Sequence, residues 1–135
     1  MNGQILRTSF RVMVDQEPDL VARFYGILFS RYPQVRLLFG HNSPQRQQRM
    51  LYQALVAILD HLQDAVWLEN VLRNYGAMHF RYGVTDEMYD WFGECIFAAM
   101  AEIRGPAWTP QLAAAWTEAY QVISGQMRAG AQGRR

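Results

Sequence analysis

Three polar side chains stand on helix faces that are otherwise apolar, and their chemistries are complementary. His79 lies on the stripe Leu68, Leu72, Tyr75, His79 and Tyr82, whose steps of 4, 3, 4 and 3 mark one face of an amphipathic helix. A buried imidazole must find a partner, because an unpaired polar group inside a protein is costly. Two kinds of partner suit it: a backbone carbonyl, as for many core histidines, or a metal ion, which neutral imidazole ligates well. Gln47 opens the face that Leu51 continues one turn later, and Tyr25 shares a face with Val21, Leu28 and Tyr32. Taken singly, a glutamine in a first helical turn is ordinarily exposed, and a core tyrosine buries its ring while its hydroxyl reaches outward. Taken together, the three suit one task. An imidazole can ligate a metal from one side while a phenol and an amide donate hydrogen bonds to what binds on the other.

The elements that must position these groups are helices. No segment alternates apolar and polar residues for long enough to be a strand. A first helix is predicted from about Gln4 to Gln16, and a second from Glu17-Pro18, where proline suits the first turn, up to Pro33. A short helical turn, Pro33 to Phe39, leads into the loop Gly40-His41-Asn42-Ser43. Ser43-Pro44 reads as an N-cap and first-turn proline, opening a helix with Gln47, Leu51, Leu55, Ile58 and Leu62 inward. The His79 helix follows over Val66 to Tyr82. Thr85 caps another, to about Arg104, with Tyr89, Phe92, Ile96, Ala99 and Ile103 inward. Thr109-Pro110 opens the last, with Leu112, Trp116, Ala119, Ile123 and Met127 inward. Residues 129–135 are small, polar and basic, and a frayed tail is expected there. The prediction is one all-α domain over residues 1–135, with six main helices and a short one.

Composition narrows the function classes. At 135 residues and 50% hydrophobic, the chain is long enough to bury roughly two-thirds of its unfolded surface in a single core. A net charge of +1, from 13 basic and 12 acidic residues, is not the footprint of a nucleic-acid binder. The single cysteine, Cys95, allows no intramolecular disulfide and no four-thiolate metal site, and reads as packing. The N-terminal segment lacks the apolar core of a secretory signal, and no stretch approaches the roughly 20 apolar residues of a membrane span. A soluble cytoplasmic protein, with no nucleic-acid or membrane partner, is the expectation.

The residues Phe24-Tyr25, Tyr32-Pro33…Phe39, Gln47…Leu51, His79…Tyr82-Gly83-Val84, Tyr89 and Ala115-Trp116…Tyr120 together resemble a globin. The pattern is nearest to the single-domain bacterial globins related to the haem domain of flavohaemoglobins. It extends from about Ser9 to Met127, agreeing in order, spacing and residue type at several separated points. The resemblance implies a globin fold around a non-covalent haem b, since no Cys-x-x-Cys-His occurs. It makes His79 the proximal iron ligand and Tyr25 and Gln47 the distal polar pair, with Leu51 closing the distal side. Phe39 would pack on the haem face, and Val84 and Tyr89 on the proximal side. His41 and His61 match neither iron position and read as surface residues.

Departures from the flavohaemoglobin pattern bear on function. Those proteins carry a glutamate late in the last helix that hydrogen-bonds the proximal machinery; the matching position is about Ala131, so Tyr89 keeps the tyrosine of that network without its acid. A position often basic near the haem propionates is Met50, leaving Arg46, Arg49, Arg81 or Tyr82 as alternatives. Flavin and nicotinamide domains are not expected in a chain filled by the globin. Two functions follow from the resemblance. One is a gas-binding haemoprotein for oxygen, carbon monoxide or nitric oxide that transports, scavenges or senses. The other is a nitric oxide dioxygenase served by a separate reductase. A helical interaction module without haem is a third class, and it would leave His79, Gln47 and Tyr25 unexplained.

Overall fold

The computed structural model describes residues 1–40 and 43–133, and the described residues are helical almost throughout. Six α-helices occur in order: α1 (Gly3–Gln16), α2 (Leu20–Arg31), α3 (Pro44–Asp60), α4 (Ala65–Arg81), α5 (Asp86–Arg104) and α6 (Pro110–Gln132). The expected short helix, Pro33–Phe39, is a 3-10 helix, and a second 3-10 turn, Gly105–Ala107, joins α5 to α6. The all-α expectation holds. Side-chain caps mark the helix starts: the Asn2 amide oxygen accepts from the Ile5 N–H at 3.2 Å and Ser43 Oγ from the Arg46 N–H at 3.2 Å. Asp64 caps α4 through the Trp67 N–H at 3.1 Å, and Thr109 caps α6 through the Leu112 N–H at 3.2 Å.

Two boundaries differ from the sequence expectation. α2 begins at Leu20, not at Glu17-Pro18, because a turn precedes it. Glu17 accepts the Asp19 N–H on its side chain and the Leu20 N–H on its carbonyl, and these bonds hold the proline in that turn. At the other end, the tail expected to fray from residue 129 is helical to Gln132, with Ala131 only 8% exposed. Gly130 in this segment packs on the backbone of α4 at Arg73.

The helices pack in pairs that decide where space remains. α2 lies on α5, with the Phe24 and Phe92 rings 4.6 Å apart, and α4 lies on α6 in the most extensive contact of the molecule. α1 is fastened to α6 by a buried relay: Trp116 Nε1–H donates to Ser9 Oγ at 3.0 Å, and the Ser9 hydroxyl donates to the Leu6 carbonyl at 3.1 Å. α3 rests on α1 and α2 and makes no comparable approach to α4. Its burial follows from that. Only Ile58 and Leu59, near its end, are buried, while Gln47, Leu51 and Leu55 stay part-exposed although they face inward. The first half of α3 therefore packs less deeply than its end and leaves Leu51 and Leu55 part-exposed. No described helix is long and apolar enough to cross a membrane.

Candidate functional site

Tyr25, Gln47 and Phe39 come from three separate elements and meet. Tyr25 is buried in α2, with Phe24 at 4.9 Å, Phe29 stacked at 5.7 Å and Phe39 edge-on at 5.7 Å between ring centroids. These rings hold the phenol in one orientation. From the first turn of α3, the Gln47 amide donates from Nε2 to the Tyr25 hydroxyl oxygen at 3.2 Å. That direction matters. With its oxygen accepting from Gln47, the Tyr25 hydroxyl keeps its own proton available to donate elsewhere. Burial pushes the Tyr25 phenol up from its usual range, with the Gln47 bond opposing, so the donor stays protonated. Leu51, one turn after Gln47, is part-buried against the core, and Phe39 is likewise half-buried at the end of its 3-10 helix.

His79 sits in the last turn of α4 and is half-buried. Its Nδ1–H donates to the Tyr75 carbonyl one turn earlier, at 2.7 Å. The backbone partner expected of a core histidine is thus present, yet it uses only one ring nitrogen. Nε2 then carries the lone pair, the form in which imidazole ligates a metal. Burial holds the His79 pKa below the usual histidine range, with the Tyr75 bond opposing, which favours the neutral ring. No group of three His, Cys, Asp or Glu side chains able to hold a metal occurs among the described residues. A single imidazole suits a metal that brings its other ligands with it.

The chain after α4 folds back on this turn. The Tyr82 and Val84 N–H groups both donate to the His79 carbonyl, at 3.1 and 2.9 Å. Gly83 makes the reversal with φ +97°, where a side chain would be strained, and a Cβ there would lie 3.3 Å from Leu38 Cδ2. Leu38 precedes Phe39, so the 3-10 helix that packs on Tyr25 also packs on the end of the His79 helix. Val84 is half-buried beside it.

Tyr89, in α5, is 6% exposed, and its hydroxyl is buried with no hydrogen-bond partner. Its ring lies 5.3 Å beneath the Arg128 guanidinium of α6, which is paired with Asp86 at 3.0 Å and Asp90 at 2.9 Å. Burial pushes the Tyr89 phenol up, with the Arg128 charge opposing. The Tyr89 carbonyl accepts from the Tyr120 hydroxyl, whose own phenol burial pushes far up. Tyr89 is therefore fixed at its backbone and ring and left unsatisfied only at its oxygen. Tyr89→Phe should remove that desolvation cost and stabilise the ligand-free protein by about 1 kcal/mol, read from thermal melts. A destabilised variant would show that the hydroxyl already has a partner in solution.

The remaining sequence candidates separate cleanly. Met50, Arg46, Arg49, Arg81 and Tyr82 are exposed. His61 is not the surface residue expected of it: it is half-buried, stacked on Trp67 with centroids 3.8 Å apart, and its Nδ1 lies 2.7 Å from the Ala57 carbonyl. Its neighbour Asp60 is exposed, but the ring turns under the α3–α4 corner. His41 lies outside the described residues. Sequence reasoning misses Arg128 and Tyr120 as site residues, although Arg128 is the single basic residue between Pro110 and Gln132. Interior glycines in helical stretches were a further signal, and Gly76 belongs to α4 three residues before His79.

With this geometry in view, the comparisons with known proteins are consistent. A family model described as Globin matches residues 22–127. A flavohemoprotein of Bacillus thuringiensis is 28% identical over 123 residues, covering 90% of this chain and 30% of its own length. The chain thus spans about a third of that relative. Among solved structures, an engineered carbene transferase from Rhodothermus marinus, built on a protein described as a nitric oxide dioxygenase, superposes with a TM-score of 0.83 at 30% identity. The match covers 97% of this chain and 91% of that one. A bacterial globin from Campylobacter jejuni gives a TM-score of 0.82 at 22% identity, over 97% of this chain and 94% of that one, a likeness of fold.

Proposed function

Because the chain belongs to the globin family, we propose that it holds haem b non-covalently through His79 and binds a diatomic gas beside Tyr25 and Gln47. The observation that carries this reading is the division of hydrogen bonds. His79 spends Nδ1 on Tyr75 and keeps Nε2, while Tyr25 accepts from Gln47 and keeps its proton. One side offers a lone pair and the other offers a donor.

The residues present fit haem. Four part-exposed apolar side chains lie near the polar groups: Leu51 and Leu55 on α3 with Gln47, Phe39 edge-on to Tyr25, and Val84 in the turn that follows His79. The orphaned hydroxyl belongs to Tyr89, the fourth residue of the helix that follows the His79 turn. Phe39 and Leu51 would pack on the distal side, and Val84 and Tyr89 on the proximal side. Haem supplies an iron with one open position for a diatomic gas. Tyr25 would donate its retained proton to a gas held there, and oxygen would accept that hydrogen bond better than carbon monoxide. A protonated Tyr25 thus favours tight oxygen binding over easy delivery, which suits scavenging or sensing.

A second reading is nitric oxide dioxygenation, favoured by the likeness to the Rhodothermus protein and the flavohemoprotein. The 135 residues are occupied by the globin fold, so re-reduction of ferric iron would need a reductase outside them. The two readings differ in turnover. Mixing the oxygen-loaded ferrous protein with nitric oxide in a stopped-flow instrument should convert one equivalent to nitrate, because oxygen supplies both added atoms and iron is oxidised to ferric. Ferric protein should then accumulate in the presence of a nicotinamide donor alone. Sustained turnover in that mixture would overturn the binding reading and make the chain an enzyme without assistance.

A further inference from the structure

The seam between α4 and α6 is closer than side-chain packing permits. A Cβ added to Gly76 would lie 1.8 Å from the Met127 carbonyl oxygen, and one added to Gly130 would lie 2.1 Å from the Arg73 carbonyl oxygen. In both cases the other nearest atoms are also backbone, the carbonyl carbon and Cα of the same residue, at 2.6 to 2.7 Å. The two contacts are reciprocal. Each helix contributes a carbonyl and, three residues later, the glycine that meets the other helix's carbonyl. Helices usually keep their axes about 8–10 Å apart because side chains intervene; here Cα hydrogens face carbonyl oxygens directly, as where small residues let backbones touch. Glycine is disfavoured inside helices, so Gly76, interior to α4, acts against helix propensity. Arg73 adds a bond from Nε to Gln126 Oε1 at 3.3 Å along the same seam.

This crossing lies at the turn that holds His79. Gly76 follows Tyr75, whose carbonyl accepts the His79 Nδ1–H, so the backbone that orients the imidazole is the backbone pressed on Met127. We propose that Gly76 and Gly130 are positioning residues for His79: the glycine crossing sets the height of α4 on α6, and through it the strain on the imidazole–iron bond and the affinity for gas. The inference rests on the reading of His79 as the haem ligand. A carbon and a carbonyl oxygen approach to about 3.3 Å at closest, so alanine at Gly76 displaces α4 by more than about 1 Å. No flexible side chain lies at the contact to yield instead. A misplacement of that size at a reacting group costs up to about 100-fold.

The test uses the haem-loaded protein with Gly76→Ala, Gly130→Ala and, as a control on the same helix, Gly125→Ala, whose added Cβ meets open space. Resonance Raman of the ferrous, gas-free protein reads the iron–histidine stretch; stopped flow reads oxygen dissociation; melting reads stability. The two crossing variants should shift the iron–histidine band and change oxygen dissociation by about tenfold or more, and Gly125→Ala should change neither. Gly130 is the less buried of the pair and near the helix end, so its variant carries the test if Gly76→Ala does not fold. In a His79→Gly background supplied with free imidazole, where the ligand is no longer attached to α4, the effect of the crossing variants should vanish. A lower melting temperature with an unmoved band, or an effect that persists with free imidazole, would overturn the positioning role. A wild-type protein that carries haem without an iron–histidine band would instead overturn the assignment of His79 beneath it.

Discussion

His79→Ala is expected to leave the protein without tightly held haem. The purified variant should lack the intense Soret absorption expected of the wild type, and should melt at a lower temperature. The size of the effect follows from linkage. A ligand held at a thousand times its dissociation constant stabilises the folded state by about 4 kcal/mol, which for a domain of this size corresponds to roughly 15 °C in melting temperature. No other histidine among the described residues can substitute. His61 is stacked on Trp67 with Nδ1 at the Ala57 carbonyl, beneath the corner between α3 and α4. The loss should also be reversible by chemistry: His79→Gly supplied with free imidazole should regain haem, because the missing group is then replaced without the tether. If His79→Ala kept haem and its ligand spectra unchanged, the iron would be held elsewhere and the family resemblance at this position would mislead. A wild type without a Soret band would sink haem binding altogether.

The helices and their caps were legible because they depend on local chemistry. Ser43-Pro44 and Thr109-Pro110 each combine an N-cap acceptor with a residue that needs no N–H donor, and both open helices where expected. Pro18 carries the same signal but fails, since Glu17 captures the next amides in a turn. The end of α6 was obscured for the opposite reason. Ala129, Gly130 and Ala131 have little apolar bulk and read as a tail, yet the missing side chain of Gly130 is what admits the backbone to α4. At the site, residue types were legible and directions were not. Spacing placed His79, Gln47 and Tyr25 on inward faces. It could not show that Nδ1 belongs to Tyr75, or that the amide donates to the phenol and not to a shared acceptor. The first is a choice of ring nitrogen made within one turn of α4; the second is a tertiary fact, set where Phe24, Phe29 and Phe39 hold the Tyr25 ring within reach of Gln47. His61 was misjudged because its partner Trp67 lies across a turn, where helical periodicity carries no information.

The direction of the Gln47–Tyr25 bond turns a general expectation about oxygen retention into an ordered one. If both side chains donated to the gas in parallel, their loss would be felt separately. In the structure the two are linked in series: Gln47 donates to the Tyr25 oxygen, and Tyr25 is left with the proton. Tyr25→Phe should therefore have the larger effect. A hydrogen bond to a charged acceptor is worth about 1.5–3 kcal/mol, so oxygen should leave roughly 10- to 100-fold faster, at 1.4 kcal/mol per tenfold. Gln47→Leu removes the bond that orients the phenol and should speed release by a smaller factor, on the order of threefold to tenfold. The double variant should be no faster than Tyr25→Phe alone, because without the phenol Gln47 has nothing to orient. Both substitutions preserve approximate shape, so carbon monoxide, a poorer acceptor, should dissociate at nearly the wild-type rate in each. Stopped-flow displacement of each gas in the single and double variants supplies the full cycle. Equal acceleration of both gases would point to steric gating by α2 and α3. Additive effects on oxygen would show two parallel donors and refute the series arrangement.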